Sequence, residues 1–213
     1  MRTYLASLVV ILLLLSACGS EKPAATETET PSTTVSEPVY EIHDANPAWA
    51  SEELNDRVSP ARSIAFDYSG DNGFLKLALH YSSPSVKNRT IWDSLVTLNE
   101  VWRTGANEAT MIEFSNDVHI QDQHIKAGAY SLFTIPKADG WTVILNSIAD
   151  QWGHYEYDAE SDVARFEVAN EETEFNENLL FNFLEMNDGS NVLSFSWENR
   201  GFKLGIEPAN DLN

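Results

Sequence analysis

The sequence predicts an all-β fold, an antiparallel β-sandwich of about eight strands, and three observations lead to this prediction. Apolar and polar residues alternate with a period of two along most of the chain after residue 58, as in Leu193, Phe195 and Trp197, which alternate with serines. Turn sequences rich in Asp, Asn and Gly separate many of these segments. No long amphipathic helical pattern lies between them, so two antiparallel sheets should bury each other's apolar faces.

Each predicted strand rests on this alternation. In residues 74–81, for example, Leu75 and Leu77 fall on one face and Lys76 falls on the other. Turn signals that predict hairpins occur at residues 71–73, 138–140, 187–189 and 199–201. The predicted strands comprise residues 74–81, 111–114, 130–135, 141–146, 163–168, 179–186, 192–197 and 202–206.

The N-terminus has the features of a bacterial lipoprotein signal. Arg2 precedes an apolar run over residues 8–15, and small residues lead directly to Cys18, the only cysteine in the chain. The run is shorter than the ~20 residues that a membrane-spanning helix needs. We therefore expect residues 1–17 to be removed and Cys18 to carry acyl chains such as palmitate. These would anchor the protein to a membrane of the bacterial cell envelope, on the periplasmic or the outer-membrane face.

Composition divides the rest of the chain into three parts. Residues 18–40 comprise the lipidated cysteine and a segment rich in Glu, Thr, Ser and Pro with little to bury, which predicts a disordered linker. Residues 41–57 form an N-terminal extension, in which an Asn-Pro pair favours the start of a short helix over residues 47–55. The β-sandwich domain is expected to occupy residues 58–208.

The charge of the chain limits its partners. The sequence holds 13 basic and 33 acidic side chains, a formal net charge of −20. Removal of residues 1–17 takes away one basic residue, Arg2, and no acid, which leaves −21. Such a surface repels phosphate backbones, so nucleic acid is not expected as a partner. No calcium loop with spaced aspartates occurs, and no cofactor is predicted.

Two histidines raise the question of a metal site. His119 and His124 flank the turn sequence 121–123 and should face each other across a tight hairpin, with Asp122 close by. No His-x-x-x-His or paired-cysteine spacing accompanies them. We therefore expect solvated turn histidines and predict no metal site.

Four motifs of the chain resemble those of a bacterial family of unknown function, DUF2911. They are Pro-Ser-Val-Lys-x-Arg at residues 84–89, Trp-Arg-Thr-Gly-Ala-Asn-Glu-Ala-Thr at 102–110, Ala-Gly-x-Tyr-Ser-Leu-Phe at 127–133 and Gln-Trp-Gly at 151–153. The resemblance extends from about Val58 to Ile206. It implies an exported, mostly β protein, often lipid-anchored, with no established activity.

The chain departs from this family pattern at two places. Asn88 stands where the family usually has glycine, and residues 97–99 replace its usual Pro-Tyr-Gly. Asparagine is the commonest residue other than glycine in the left-handed backbone region, so left-handed geometry is expected at Asn88. The loop before Glu100 is expected to bend differently from that of the family.

Residues 82–110 and 151–157 depart from the alternating pattern and are dense in side chains that recognise ligands. An indole ring can stack on the C–H faces of a sugar, while guanidinium, amide and carboxylate groups bond its hydroxyls. The alternative is a buried Arg–Glu network that pins a long loop, with Trp102 in the core. The candidate ligand-binding residues are Arg89, Trp92, Glu100, Trp102, Arg103, Asn107, Glu108 and Trp152.

Three functions are consistent with these residues. The first is a non-catalytic binding or structural module that presents the loop residues to a glycan, a small polar ligand or an envelope partner. The second is a hydrolase in which Glu100 and Glu108 flank a bond at a separation of about 5–9.5 Å while Arg103 stabilises developing charge. The third is a pure scaffold, in which the same residues only hold the fold together.

Overall fold

The structure, a computed structural model, describes residues 58–70 and 73–209. The signal sequence, Cys18, the linker and the expected helix over residues 47–55 lie outside the described residues. The described part is all β, with one 3₁₀ helix, Ala159–Ser161, and holds no helix long and apolar enough to cross a membrane. The strands are β1 (Ala61–Gly70), β2 (Gly73–Ser82), β3 (Thr110–Phe114), β4 (Val118–Ile120), β5 (Gln123–Ile125), β6 (Gly128–Pro136), β7 (Gly140–Asn146), β8 (Asp162–Ala169), β9 (Glu171–Glu185), β10 (Asn191–Gly205) and β11 (Glu207–Pro208).

The strands form three antiparallel sheets. Six of them make a large sheet in the order β1-β2-β3-β6-β7-β8, while β9 and β10 pair as a long ribbon. A small sheet has the order β11-β4-β5. The antiparallel pairing and the packing of the sheets against one another confirm the predicted sandwich.

The core forms where the large sheet and the ribbon turn their apolar faces towards each other. Leu75 and Leu77 of β2 are at most 1% exposed, and so are Phe195 and Trp197 of β10. All four belong to one continuous hydrophobic cluster. Complete burial of a large apolar side chain contributes roughly 1.5–3 kcal/mol, so the period-two pattern decides which face of each strand turns inward.

Most of the predicted strands and turns are confirmed. Five predicted strands coincide with β2, β3, β6, β7 and β8, and a sixth covers the C-terminal half of β9. The hairpin at residues 138–140 is closed by a bond from Lys137 N to Gly140 O at 2.9 Å, and the hairpin at 187–189 by one from Met186 N to Ser190 O at 2.8 Å. The sequence pattern therefore located five of the six strands of the large sheet to within one or two residues.

β10 corrects the prediction of two strands separated by a turn at residues 199–201. The structure has a single strand there, so the predicted turn is wrong. The pairing with β9 shifts on both sides of Glu198, whose φ of 57° is left-handed. The Asn-Arg-Gly sequence thus marks a bulge, which bends a strand without ending it.

The prediction also omits β1 and three short strands. β1 holds Ile64, Phe66 and Tyr68 at alternating positions, and they pack against the core. Charged and small residues between them weaken the signal. β4, β5 and β11 contain only three, three and two residues, too few for a periodic pattern to be recognised.

Gly201 lies at the bulge of β10, and an added Cβ there would come within 2.2 Å of the Phe195 carbonyl oxygen. Because that oxygen belongs to the backbone, we predict that Gly201→Ala lowers the free energy of unfolding by at least about 2 kcal/mol. Gly205→Ala, in the same strand, is the matched control, since nothing lies within 4 Å of its added Cβ. The control should change stability by less than about 0.5 kcal/mol. Urea unfolding followed by tryptophan fluorescence measures both, and equal stabilities would contradict the bulge geometry.

Candidate functional site

The connection between β2 and β3, residues 83–109, carries most of the candidate residues and is fastened to neighbouring segments. Ser83 N donates to Pro60 O at 2.8 Å, and Val86 N donates to Glu177 O of β9 at 2.7 Å. Backbone bonds to residues far away in sequence restrict a long connection as strongly as strand pairing does. The side chains of this connection therefore have defined positions.

Trp102 attaches the middle of the connection to the large sheet. Its N donates to Thr134 O at 2.7 Å, and its carbonyl oxygen accepts from Thr134 N at 2.9 Å. Its side chain is 7% exposed, donates from Nε1 to Gly105 O at 3.2 Å, and packs against Trp92 and Trp197 with ring centroids 6.1 and 5.9 Å away. Trp102 is thus mainly a core residue, as the structural alternative expected.

The residues after Trp102 hold a strained backbone in one conformation. Thr104 and Asn107 have left-handed φ angles of 55° and 60°, which are unfavourable for a β-branched residue in particular. Thr110 Oγ1 donates to Thr104 O at 3.0 Å, and Asn107 Nδ2 lies 3.3 Å from Ser82 Oγ. An added Cβ at Gly105 would approach Ser82 O to 3.0 Å, so only glycine fits here without displacement. Strain maintained in this way is typical of segments that position functional groups.

A cavity of about 360 Å³ lies beside this strained segment. Four of the eight candidate residues line it, namely Arg89, Glu100, Trp102 and Arg103. The lining also includes Lys87, His154 and Trp197, which were not among the candidates. Lys87 belongs to one family motif and His154 directly follows another, so the motifs offered a signal for these two. Trp197 is a core residue of β10, and the sequence offers no signal that it lines a cavity.

Arg103 is the one partly buried cation among the residues that line this cavity, whereas Lys87 and Arg89 are exposed. No acid of the described residues lies within ion-pairing distance of its guanidinium, and its buried Nε–H has no hydrogen-bond partner there. Burial lowers the pKa of Arg103, and only the nearby Tyr155 phenol opposes that shift. The Arg–Glu network of the structural alternative is therefore not formed by Arg103 within the described part.

Lys87 and Arg89 come to the cavity through a left-handed turn. Lys87 and Asn88 have φ angles of 50° and 55°, which confirms the left-handed geometry expected at Asn88. Arg89 then folds back onto its own turn, where Nε donates to Val86 O at 3.0 Å and one terminal nitrogen donates to Ser85 O at 2.5 Å. These bonds fix the orientation of the Arg89 guanidinium at the rim.

The other four candidates lie outside the lining of the cavity. Trp92 is half-buried in the aromatic cluster, with the Arg200 guanidinium 5.1 Å from its ring centroid. Asn107 bonds within the fold, as described above. Glu108 and Trp152 pair through an isolated β-bridge, and Trp152 is 54% exposed. Of the two candidate acids, Glu100 lines the cavity and Glu108 does not.

The Gln-Trp-Gly stretch is held beside the connection by backbone and side-chain bonds. Ala109 N donates to Gln151 O at 3.1 Å, and the Gln151 side chain is buried. Four residues after Gly153, the Tyr157 O–H group donates to Asp162 Oδ2 at 2.7 Å and accepts from an Arg165 terminal nitrogen at 2.7 Å. These bonds join residues 151–157 to β8.

A separate polar cluster is buried in the large sheet. His80 Nδ1 lies 2.8 Å from Ser63 Oγ, and His80 Nε2 lies 3.1 Å from Glu113 Oε1. The order of groups is that of a nucleophile, a base and an acid, but His80 and Glu113 are completely buried. The cluster links β1, β2 and β3, and of its three residues Ser63 is partly exposed and lines a second cavity of about 470 Å³.

The two turn histidines face each other as expected. His119 pairs with His124 across β4 and β5, with ring centroids 5.2 Å apart. The carboxylate in contact with His124 Nε2 is Asp117 Oδ2 at 3.1 Å. Within residues 58–70 and 73–209, no three potential metal ligands cluster together.

The fold and its site together define an antiparallel β-sandwich with a cation-lined cavity under a long, pinned connection. The chain belongs to the family described as "Protein of unknown function (DUF2911)", whose model matches residues 59–206. No curated protein and no solved structure matches the chain. Function must therefore be inferred from the site itself.

Tyr157 should make the free energy of unfolding depend on pH in the alkaline range. Burial, together with the hydrogen bond to Asp162, raises the pKa of Tyr157 to about 12, above its ordinary value of 10.0. Between pH 10 and 12 the unfolded state loses this proton and the folded state keeps it, so the free energy of unfolding should fall over that range.

Chemical denaturation of the wild type and Tyr157→Phe at pH 9, 10, 11 and 12 measures this effect. The variant should lose less stability between pH 10 and 12, and the exposed Tyr155→Phe should behave like the wild type. If the free energy of unfolding fell equally with pH in the wild type and in Tyr157→Phe, Tyr157 would not be the group that causes the fall.

Proposed function

We propose that the protein is a membrane-anchored, non-catalytic binding module of the bacterial cell envelope that takes a small polar ligand into the cavity beside Arg103. The observation that carries this proposal is a half-buried guanidinium, without an acidic partner in the described residues, that lines a cavity of about 360 Å³. Small-molecule sites are commonly pre-formed concavities of this size with a few fixed polar groups.

The division of roles among the candidate residues supports binding over a pure scaffold. Trp102 and Asn107 satisfy bonds within the fold and pack against its interior. Arg103, their neighbour, makes no such bond in the part of the chain that is described, although its desolvation is unfavourable for folding. A scaffold gains nothing from a buried cation left in this state, whereas a binding site gains a preorganised group.

Binding without catalysis is favoured over hydrolysis by the position of the acids. A two-carboxylate mechanism needs both acids beside the same bond. Glu100 lines the cavity, and Glu108 belongs instead to the β-bridge with Trp152. Arg103 can still orient a ligand, but the cavity offers no pair of acids to act on it among the residues that line it.

The anchor follows from the N-terminal sequence. A basic residue, an apolar run and a lone cysteine after small residues form a lipoprotein signal, and the following 22 residues have the composition of a flexible tether. As a flexible coil this tether has a root-mean-square length of roughly 25 Å. The binding domain would thus be held near a membrane surface while its cavity stays accessible to solutes.

Filling the cavity tests the binding function. Ala106 lines it, and Ala106→Phe should remove stabilisation by any ligand that enters, because the added ring occupies the same space. The measurement is the rise in melting temperature, followed by tryptophan fluorescence, of the full chain in mild detergent over a panel of neutral and charged sugars, hydroxy acids and amino acids. Ala65→Phe, at an exposed position in β1, is the matched control and should keep every response of the wild type.

A panel compound that stabilises the wild type and Ala65→Phe but not Ala106→Phe supports the proposal. The absence of any compound with this selectivity would count against it.

The anchor has its own test. Cys18→Ser should abolish labelling by radioactive palmitate in a bacterial host and move the protein from the membrane fraction to the soluble fraction, because the acylated thiol is gone. Ser16→Ala, two residues away, changes a small residue for another and should keep both properties. Unchanged membrane association of Cys18→Ser would refute lipid anchoring at this residue.

A further inference from the structure

We infer that the ligand of this cavity is a small hydroxylated anion whose carboxylate or phosphate group binds the guanidinium of Arg103. This inference rests on the proposed binding function and adds the chemical class of the ligand. Its support comes from the charge of the cavity, the free donors among its lining residues and the groups on its rim.

The lining of the cavity reverses the charge balance of the chain. The whole sequence has 33 acidic and 13 basic side chains, yet the lining includes three cations, Lys87, Arg89 and Arg103, and one acid, Glu100. A local concentration of positive charge on a strongly negative protein creates a restricted region where an anion is attracted. A neutral ligand would not require positive charge in the lining of the cavity.

Arg103 is placed to make a strong bond to an oxyanion. A guanidinium presents planar, paired donors that match the two oxygens of a carboxylate or phosphate group. No acid or carbonyl of the described residues occupies those donors at Arg103. Because the group is partly desolvated, its attraction for a ligand anion is greater than that of an exposed arginine.

A second buried donor without an acceptor occurs among the lining residues. Trp197 is 1% exposed, and its Nε1–H has no hydrogen-bond partner in the described part of the chain. Buried N–H groups are normally bonded, so the unpartnered donors of Arg103 and Trp197, two residues that line one cavity, favour an acceptor-rich ligand there. Such a group has oxygens but few protons, as an oxyanion does.

The rim indicates that the anion also carries hydroxyl groups. Glu100 is exposed at the cavity and accepts hydrogen bonds, and His154 can donate or accept. A bare inorganic anion would be repelled by Glu100 and would leave most of the volume of about 360 Å³ unused. Acidic sugars, hydroxy acids and sugar phosphates combine an oxyanion with hydroxyls at a suitable size.

Three sugars that differ at one position test the inference: D-glucuronate, D-glucose 6-phosphate and D-glucose. Binding to the full chain in mild detergent is measured by calorimetry at constant ionic strength. We expect the two anions to bind the wild type and glucose to bind at least about tenfold more weakly, and Arg103→Gln to reduce anion affinity about tenfold or more. Arg103→Lys keeps the positive charge but loses the paired donors of the guanidinium, so its anion affinity should lie between those of the wild type and Arg103→Gln.

Arg62→Gln is the matched control, because Arg62 is exposed on β1 outside this cavity and its loss changes the net charge equally. It should bind both anions as the wild type does. The tighter of the two anions identifies the oxyanion, carboxylate or phosphate. Weaker anion binding in Arg103→Gln supports the inference, provided that Arg62→Gln binds as the wild type does and that the melting temperature of Arg103→Gln is no lower than that of the wild type.

Two results would overturn it, and they differ in what they leave standing. Equal affinity for glucose and the anions, retained in Arg103→Gln, would refute the anionic class but leave the binding function intact. No binding of any of the three sugars, together with no response to the wider panel that Ala106→Phe removes, would refute both.

Discussion

The attachment of Trp102 to β6 is the constraint on which the site depends. Two backbone hydrogen bonds to Thr134 extend the sheet by one residue pair, and the indole fills the aromatic cluster beside Trp92 and Trp197. Edge-to-face and stacked aromatic pairs add about 0.5–1.5 kcal/mol each to the burial of the rings. Since Arg103 is the next residue, the same interaction that completes the core also fixes the cation at the cavity.

Two features of the residues after Trp102 that shape the site lower the stability of the fold. The left-handed backbone of Thr104 is unfavourable by about 1–3 kcal/mol. The partial desolvation of the Arg103 guanidinium is unfavourable as well. Hydrogen bonds to Thr104, Gly105 and Asn107, and the glycine that lets Ser82 approach, hold this conformation against relaxation. A ligand anion would offset the desolvation of Arg103, which is why binding should stabilise the protein.

The fold was largely predictable from the sequence, and the site only in part. Period-two alternation locates β2, β3, β6, β7 and β8 because each buries one face, but it cannot distinguish the bulge at Glu198 from a turn. Composition drew attention to Arg103 and Glu100, which line the cavity. It could not separate Trp102, which is core, from a ligand-stacking ring. It also could not predict that Trp197, a core residue of β10, lines the cavity, because both features depend on long-range packing.

The state of the Arg103 Nε–H group tests the account most directly. Its ¹⁵N–¹H resonance, assigned by its loss in Arg103→Lys, reports whether the donor has an acceptor. We predict a marked downfield proton shift and slower exchange with water when D-glucuronate is added, and no change with D-glucose. A resonance that already has these properties without ligand, or that D-glucuronate leaves unchanged at concentrations that saturate binding, would contradict the assignment of Arg103 as the anion-binding group.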